Sequence, residues 1–171
     1  VVNLQSCVKI SLKFFYGGFA ALYHLDELDK QILAILQEDG RASHVHIARQ
    51  LGVGHTRVRD RVLRMEEAGV IEGYRAIINP ERMGWGVLCI VQLKTDQQYN
   101  FDSLAADILA IDEVVEVTNV TGAVDAHIRI WAKDVSHMRE ILYSKLSALP
   151  SHKNTNSTIV LKRWTKPLGL G

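Results

Sequence analysis

A chain of 171 residues, 47% hydrophobic and 23% charged, has the composition of an ordinary globular protein, with apolar material for one large core or two small ones. That excludes disorder as the default state, no apolar run reaches the roughly 20 residues of a membrane helix, and two distant cysteines, Cys7 and Cys89, cannot staple a disulfide scaffold. The net charge of +1 conceals an uneven distribution: Arg41, Arg49, Arg57, Arg59, Arg61 and Arg64 face a lone acid, Asp60, whereas the preceding stretch carries Asp26, Glu27, Asp29, Glu38 and Asp39.

Residues 1–24 form an N-terminal extension. Val8, Ile10, Leu12 and Phe14 alternate with Cys7, Lys9, Ser11 and Lys13, a period-two pattern that predicts a strand able to pair with an exposed sheet edge. A leader without fixed structure is the alternative. The apolar run Phe14 to Tyr23 follows two lysines as a signal peptide does, but polar residues interrupt it. With the cysteine usage, this points to a cytoplasmic protein that spans no membrane.

Residues 25–69 predict three helices. Leu28, Ile32, Ile35 and Leu36 make the first stripe, stopped by Gly40; Ser43 caps the second helix, whose inner face is Ile47, Ala48 and Leu51. Gly52 suits the left-handed residue of a tight turn, and Gly54 or His55 opens the third helix. There Val58, Val62 and Met65 recur at i, i+4 and i+7. Turning that stripe inward, at about 100° per residue, points Thr56, Arg57, Asp60 and Arg64 outward, with Arg59 and Arg61 on the flanks. Two short helices joined by a glycine turn, the second with a cationic outer face, read as a helix-turn-helix.

Residues 70–84 read as an extended hinge and linker, punctuated by Pro80 and Gly84. Over 85–171 the pattern becomes βαββαβ: strands at 87–93, 114–120, 124–132 and 158–164, helices at 101–111 and 135–149. The fold class is therefore α+β, a helix-turn-helix followed by a ferredoxin-like domain. Leu88, Ile90 and Gln92 alternate with Cys89, Val91 and Leu93, so the first strand is largely apolar on both faces, which implies a homodimer.

The runs LDELDKQILAILQEDGRAS, IARQLGVG, RVLRMEEAGVIEGYRAIINPERMG and VTGAVDAHIRI, spanning Leu25 to about Leu168, resemble the Lrp/AsnC (leucine-responsive, feast/famine) transcription regulators. The resemblance implies a DNA-binding head of the winged helix-turn-helix kind, a hinge strand, a ferredoxin-like sheet domain that binds an amino acid or related small effector, and dimers that assemble into octamers. Three positions depart from the family pattern. Gly54 stands where Ser is usual at the start of the recognition helix, Ser151 replaces the Gly of a Leu-Pro-Gly turn, and the segment before Leu25 has no usual counterpart.

For double-stranded DNA, the candidate contacts are Ser43, His55, Thr56, Arg57, Arg59, Asp60, Arg61 and Arg64. Arg can pair bidentately with guanine, Thr can touch a thymine methyl, Asp can accept from cytosine, and a helix N-terminus such as that at Ser43 favours phosphate. The competing readings are that Asp60 pairs with Arg57 or Arg64 along the helix and that Arg61 braces the helix against Asp26 or Asp29. His44 and His46, beside Ser43, suit either a phosphate or plain solvent.

In the second domain Thr121, Gly122, Ala123, Val124 and Asp125 form a hairpin turn between two central strands. Gly122 can present backbone amides to a carboxylate while Asp125 holds an ammonium group, which together suit an amino acid; alternatively Gly122 only supplies a positive φ and Asp125 closes its own turn. The resemblance places the effector pocket here, between subunits. Two further readings share the architecture: a tetrapyrrole decarboxylase using His127, Arg129, His137 and Arg139, and a protein that wraps DNA with little sequence preference. No paired catalytic carboxylates, activated nucleophile or phosphate loop accompany those histidines, so no enzyme, cofactor or metal site is expected.

Overall fold

The computed structural model describes residues 23–96, 100–149 and 152–170. The expected strand within residues 1–24 lies outside them, apart from Tyr23 and His24. The described chain separates into two compact units: one runs to Ile77 and takes in Thr165 onward, the other spans Ile78–Trp164.

The first unit holds α1 (Glu27–Glu38), α2 (His44–Leu51) and α3 (His55–Glu67). Asp26 caps α1 by accepting from the Asp29 N–H, and Asp29 returns the bond to the Asp26 N–H, a reciprocal capping box. Helix α1 ends at Glu38, with Asp39 extended as its C-cap. Gly40 does not adopt a left-handed conformation, and a Cβ there would meet the Leu36 carbonyl and the Tyr74 ring only at ordinary contact distances of 3.7 and 3.8 Å, so neither backbone nor space requires glycine at this position. Ser43 Oγ accepts from the His46 N–H at 3.1 Å and starts α2. Gly52 ends that helix at φ 67°, the left-handed turn that only glycine adopts without penalty. The predicted stripes converge on Ile32, Ile47, Val58, Val62 and Met65, all buried, joined by Leu33, which the α1 pattern did not single out.

After α3 the chain is extended without regular pairing, then Glu81–Met83 forms one 3₁₀ turn ending at Gly84. The second unit follows as β1 (Val87–Thr95), α4 (Phe101–Leu109), β2 (Val114–Asn119), β3 (Ala126–Ala132), α5 (Val135–Glu140) with a π-helical continuation over Ile141–Leu146, and β4 (His152–Ile159). All pairings are antiparallel and the strand order is β2-β3-β1-β4. Cys89, Val91, Leu93, Ile128 and Ile130 point to the helices and are fully buried, with Leu104, Ile108, Met138, Ile141 and Leu146 opposite them. The alternate residues of β1 and β3 form the other, more open face.

Two features of the sheet differ from the sequence reading. The last strand lies at 152–159, not 158–164: its sequence HKNTNSTI is polar on both sides because β4 is an edge strand covered on neither face, so it lacks the alternation that marks a half-buried strand. The hairpin turn at 121–125 joins central β3 to β2, which is the other edge.

Candidate functional site

Helix α3 exposes His55, Thr56, Arg57, Arg59, Asp60 and Arg64, while Val58, Val62 and Met65 hold its opposite side in the core. Gly54 is the N-cap and contributes no side-chain bond, so the first turn depends on backbone geometry alone. Asp60 pairs with its sequence neighbour Arg59 at 3.1 Å, rather than with Arg57 or Arg64. Both partners are exposed, so the pair is weak. No ion pair involves Arg57 or Arg64 among the described residues.

Arg61 is turned the other way. Its guanidinium donates to both Asp26 and Asp29, the latter at 3.1 Å, and Asp29 is only 1% exposed. The backbone bond from Asp29 and the Arg61 guanidinium hold the Asp26 carboxyl below its ordinary value of 3.8, and the same two acids push Arg61 upward. The two carboxylates that cap α1 thus also fix the rotation of α3. This places Arg61 as a positioning residue and takes it out of the set that faces a groove.

At the C-terminal end of α3, the Tyr74 hydroxyl donates to Glu66 at 3.0 Å. Burial, with the adjacent Glu66, raises that phenol to about 12. The hinge is therefore fastened to the head at its fifth residue, a link that apolar periodicity does not reveal.

In the second unit, Gly122 takes φ 124° and shapes the β2–β3 turn. Asp125 does not close that turn with its side chain. Its Oδ2 accepts from the Thr95 N–H at 2.6 Å and the Thr95 hydroxyl at 3.0 Å, tying the turn to the end of β1, while Asp125 N–H donates to the Leu93 carbonyl. Thr95 lies 30 positions away, and nothing in the sequence links the two.

The open face of the sheet carries a shallow hollow lined by Ile90, Glu116, Thr118, His127, Ile128 and Arg129. Arg129 pairs with Glu116 at 2.6 Å, and the Thr118 hydroxyl donates to the same carboxylate. His137 lies on α5, against the opposite face. Its Nδ1 accepts from the Lys133 N–H, so Nε2 carries the proton that reaches Glu113 at 3.1 Å; Lys145 Nζ joins the same carboxylate at 2.7 Å. The four residues considered for a tetrapyrrole therefore lie on two sides of the sheet, and one subunit cannot bring them onto one ligand. Cys89 is buried, which raises its thiol pKa and keeps it protonated.

The sequence matches two family models in succession, the AsnC-type helix-turn-helix domain over residues 25–66 and the Lrp/AsnC ligand binding domain over 88–168. The chain belongs to the Lrp/AsnC family. An HTH-type transcriptional regulator of Pyrococcus furiosus is 35% identical over 142 residues, covering 82% of this chain and 95% of that one. The regulatory protein AsnC of Escherichia coli is 28% identical over 82% of this chain and 92% of its own. Its solved structure superposes with a TM-score of 0.78 over 85% of this chain and 98% of that one, at 27% identity. A Neisseria meningitidis transcriptional regulator solved as a complex with L-Met gives a TM-score of 0.80 over 86% and 97%, at 23% identity, a likeness of fold. This Lrp/AsnC chain is thus a DNA-binding transcription regulator with a ligand-binding domain. Among its described residues, no helix is long and apolar enough to cross a membrane.

Proposed function

We propose that this regulator reads specific DNA through Thr56, Arg57, Asp60 and Arg64, with His55, Arg59 and Ser43 at the margins of the contact, and that it responds to an amino acid. The observation that carries the reading is the outward face of α3: its cations are exposed while the one arginine with a buried partner, Arg61, sets the helix angle. Exposed guanidinium groups on a helix that fits the major groove supply both base readout and phosphate attraction.

The effector reading rests on the turn from Thr121 through Gly122, Ala123 and Val124 to Asp125. Gly122 has open space where a Cβ would stand, room for a carboxylate to approach the turn, and Asp125, held by Thr95 through one oxygen, keeps its other oxygen for an ammonium group. The same fold, in the Neisseria protein, has been solved with L-Met. Homodimers form through the open sheet face and assemble into octamers in the cytoplasm; the effector shifts the balance of assemblies and so the DNA arrangement that binds. On this reading the protein regulates and catalyses nothing.

Sequencing of genomic fragments bound with and without each common amino acid tests both parts. A reproducible shared motif supports sequence-specific reading, and a motif set that changes with one amino acid supports the effector. Fragments of random sequence, unchanged by any amino acid, would favour the wrapping protein instead.

A further inference from the structure

His152 opens β4 and is one of two residues of that strand that are not fully exposed. Its Nε2 is covered from solvent and has no hydrogen-bond partner among the described residues. Buried side-chain nitrogens in native proteins are nearly always paired, because water would otherwise have satisfied them and the loss costs stability. The backbone that carries this imidazole is well fixed. The His152 N–H donates to the Leu149 carbonyl at 3.0 Å, and the residue stands opposite Thr95 in the β1–β4 ladder.

Thr95 joins this nitrogen to the turn at Asp125. It continues the helix-facing set of β1 after Cys89, Val91 and Leu93, and it is buried. Residues directly opposite each other in an antiparallel ladder carry their side chains on the same face, with Cβ atoms about 5 Å apart, so the imidazole stands beside the Thr95 side chain. Thr95 donates both its N–H and its hydroxyl to Asp125 Oδ2, at 2.6 and 3.0 Å. Asp125, Thr95 and His152 thus form one row within the second unit, from the residue before β3, across β1, to β4. A carboxylate stands at one end and an unpaired imidazole nitrogen at the other. Neighbouring strands lie about 4.8 Å apart, so the row is about 10 Å long. An extended amino acid separates its ammonium nitrogen from a terminal side-chain oxygen by roughly 4 to 6 Å. A hydrogen bond of about 2.9 Å at each end brings its reach to the length of the row.

We propose that His152 is the specificity-determining residue of the effector site: its Nε2 donates to a side-chain oxygen of the amino acid whose ammonium group Asp125 holds. The effector is then one with a carboxylate or carboxamide side chain, namely Asp, Asn, Glu or Gln. The inference rests on the effector reading of the turn from Thr121 to Asp125 and names the chemical class that the site takes. An aliphatic effector leaves Nε2 unpaired, and a site with a polar group to satisfy rejects a ligand that cannot pair it.

The test is calorimetric titration of the full chain with two matched pairs, Asn against Leu and Gln against Met, together with Asp and Glu. The members of each pair differ little in size, and only the first offers a side-chain oxygen. Wild type should bind at least one of the polar four roughly tenfold or more tightly than its aliphatic counterpart. His152→Leu should level or invert that preference, whereas His152→Gln, whose amide can place a donor near the position of Nε2, should keep part of it. Thermal melts of the ligand-free variants show whether each is folded; where His152→Leu is not, the glutamine variant and the wild-type preference decide. Equal affinity within each pair, tighter binding of Leu or Met by wild type, or an unchanged preference in folded His152→Leu overturns the proposal. Asp125→Ala separates the two levels. If it abolishes binding while His152→Leu leaves the preference intact, the effector reading stands and His152 is only structural; if no amino acid gives heat with wild type, the effector reading fails and this proposal with it.

Discussion

The Arg61 guanidinium reaches the Asp29 carboxylate at 3.1 Å, joining the middle of the recognition helix to the first turn of α1. Because Asp29 is almost completely buried, its charge depends on that partner and on the Asp26 N–H. Replacing Arg61 with Met leaves the carboxylate with the backbone bond alone. Unfolding by urea should show a loss of about 3 kcal/mol, the lower end of the range for stranding a buried charge. A loss below about 1 kcal/mol would show that the head tolerates α3 without this brace.

The same lock sets a pH dependence. The Asp26 carboxyl is held below 3.8 by the Asp29 backbone bond and by Arg61, so its folded value lies below its unfolded value. Its contribution to stability is complete above the unfolded value and is lost as pH falls through the folded one. Thermal melts from pH 6 to pH 2 should therefore show falling stability below about pH 4, with a shallower fall in Asp26→Asn. Parallel curves for the two proteins would contradict this assignment.

Glu113 is a second buried carboxylate, 7% exposed. Burial raises its pKa, but the hydrogen bonds and charge of Lys145, with a bond from His137, outweigh burial and leave it lowered. Lys145→Met removes the main opposing influence, and the variant should lose roughly 1 to 3 kcal/mol at neutral pH. In wild type the stabilisation vanishes as pH falls through the lowered value, so the gap between the two proteins narrows in acid. A gap that stays constant down to pH 3 would mean that Lys145 acts through packing instead.

Two glycines of the helix-turn-helix predict opposite outcomes. Gly52 has φ 67° and open space around a would-be Cβ, so Gly52→Ala costs only conformational energy, about 1 to 2 kcal/mol. Gly54 has φ −70°, equally open space and no cap bond; Gly54→Ser adds a hydroxyl that accepts from the first turn and gains about 0.3 kcal/mol. Paired urea titrations check both signs.

Asp125→Ala removes both bonds to Thr95 and, on the proposed effector reading, the partner of an ammonium group. Calorimetric titration of the common amino acids should show heat with wild type and none with the variant, while Asp125→Asn, which keeps an acceptor for Thr95, retains the turn but still loses binding. Equal affinity in all three proteins would remove Asp125 from the site.

The three-helix head was readable in the sequence because each helix buries one stripe: Ile32, Ile47, Val58 and Val62 all reach the core that periodicity assigned them. Asp26 and Arg61, 35 positions apart, were paired by family resemblance and by the flank position of Arg61, not by any local rule. Strand β4 escaped because hydrophobic alternation records burial, and an edge strand uncovered on both faces leaves no such record. Gly40 misled because a glycine after a helix suggests a left-handed stop, whereas α1 ends on the extended Asp39 and Gly40 has no positive φ. Thr95 and Asp125 meet only because β1 and β3 are neighbours, and that neighbourhood belongs to the topology rather than to any short motif.

Strand β4 is held chiefly by its backbone ladder to β1, since its side chains contribute little burial. Bonds of that kind open without the whole domain unfolding, so β4 amides should exchange with deuterated water well before those of β3. Such opening would free the eight residues of β4 while the β1–β3 ladder at the centre of the sheet stays closed.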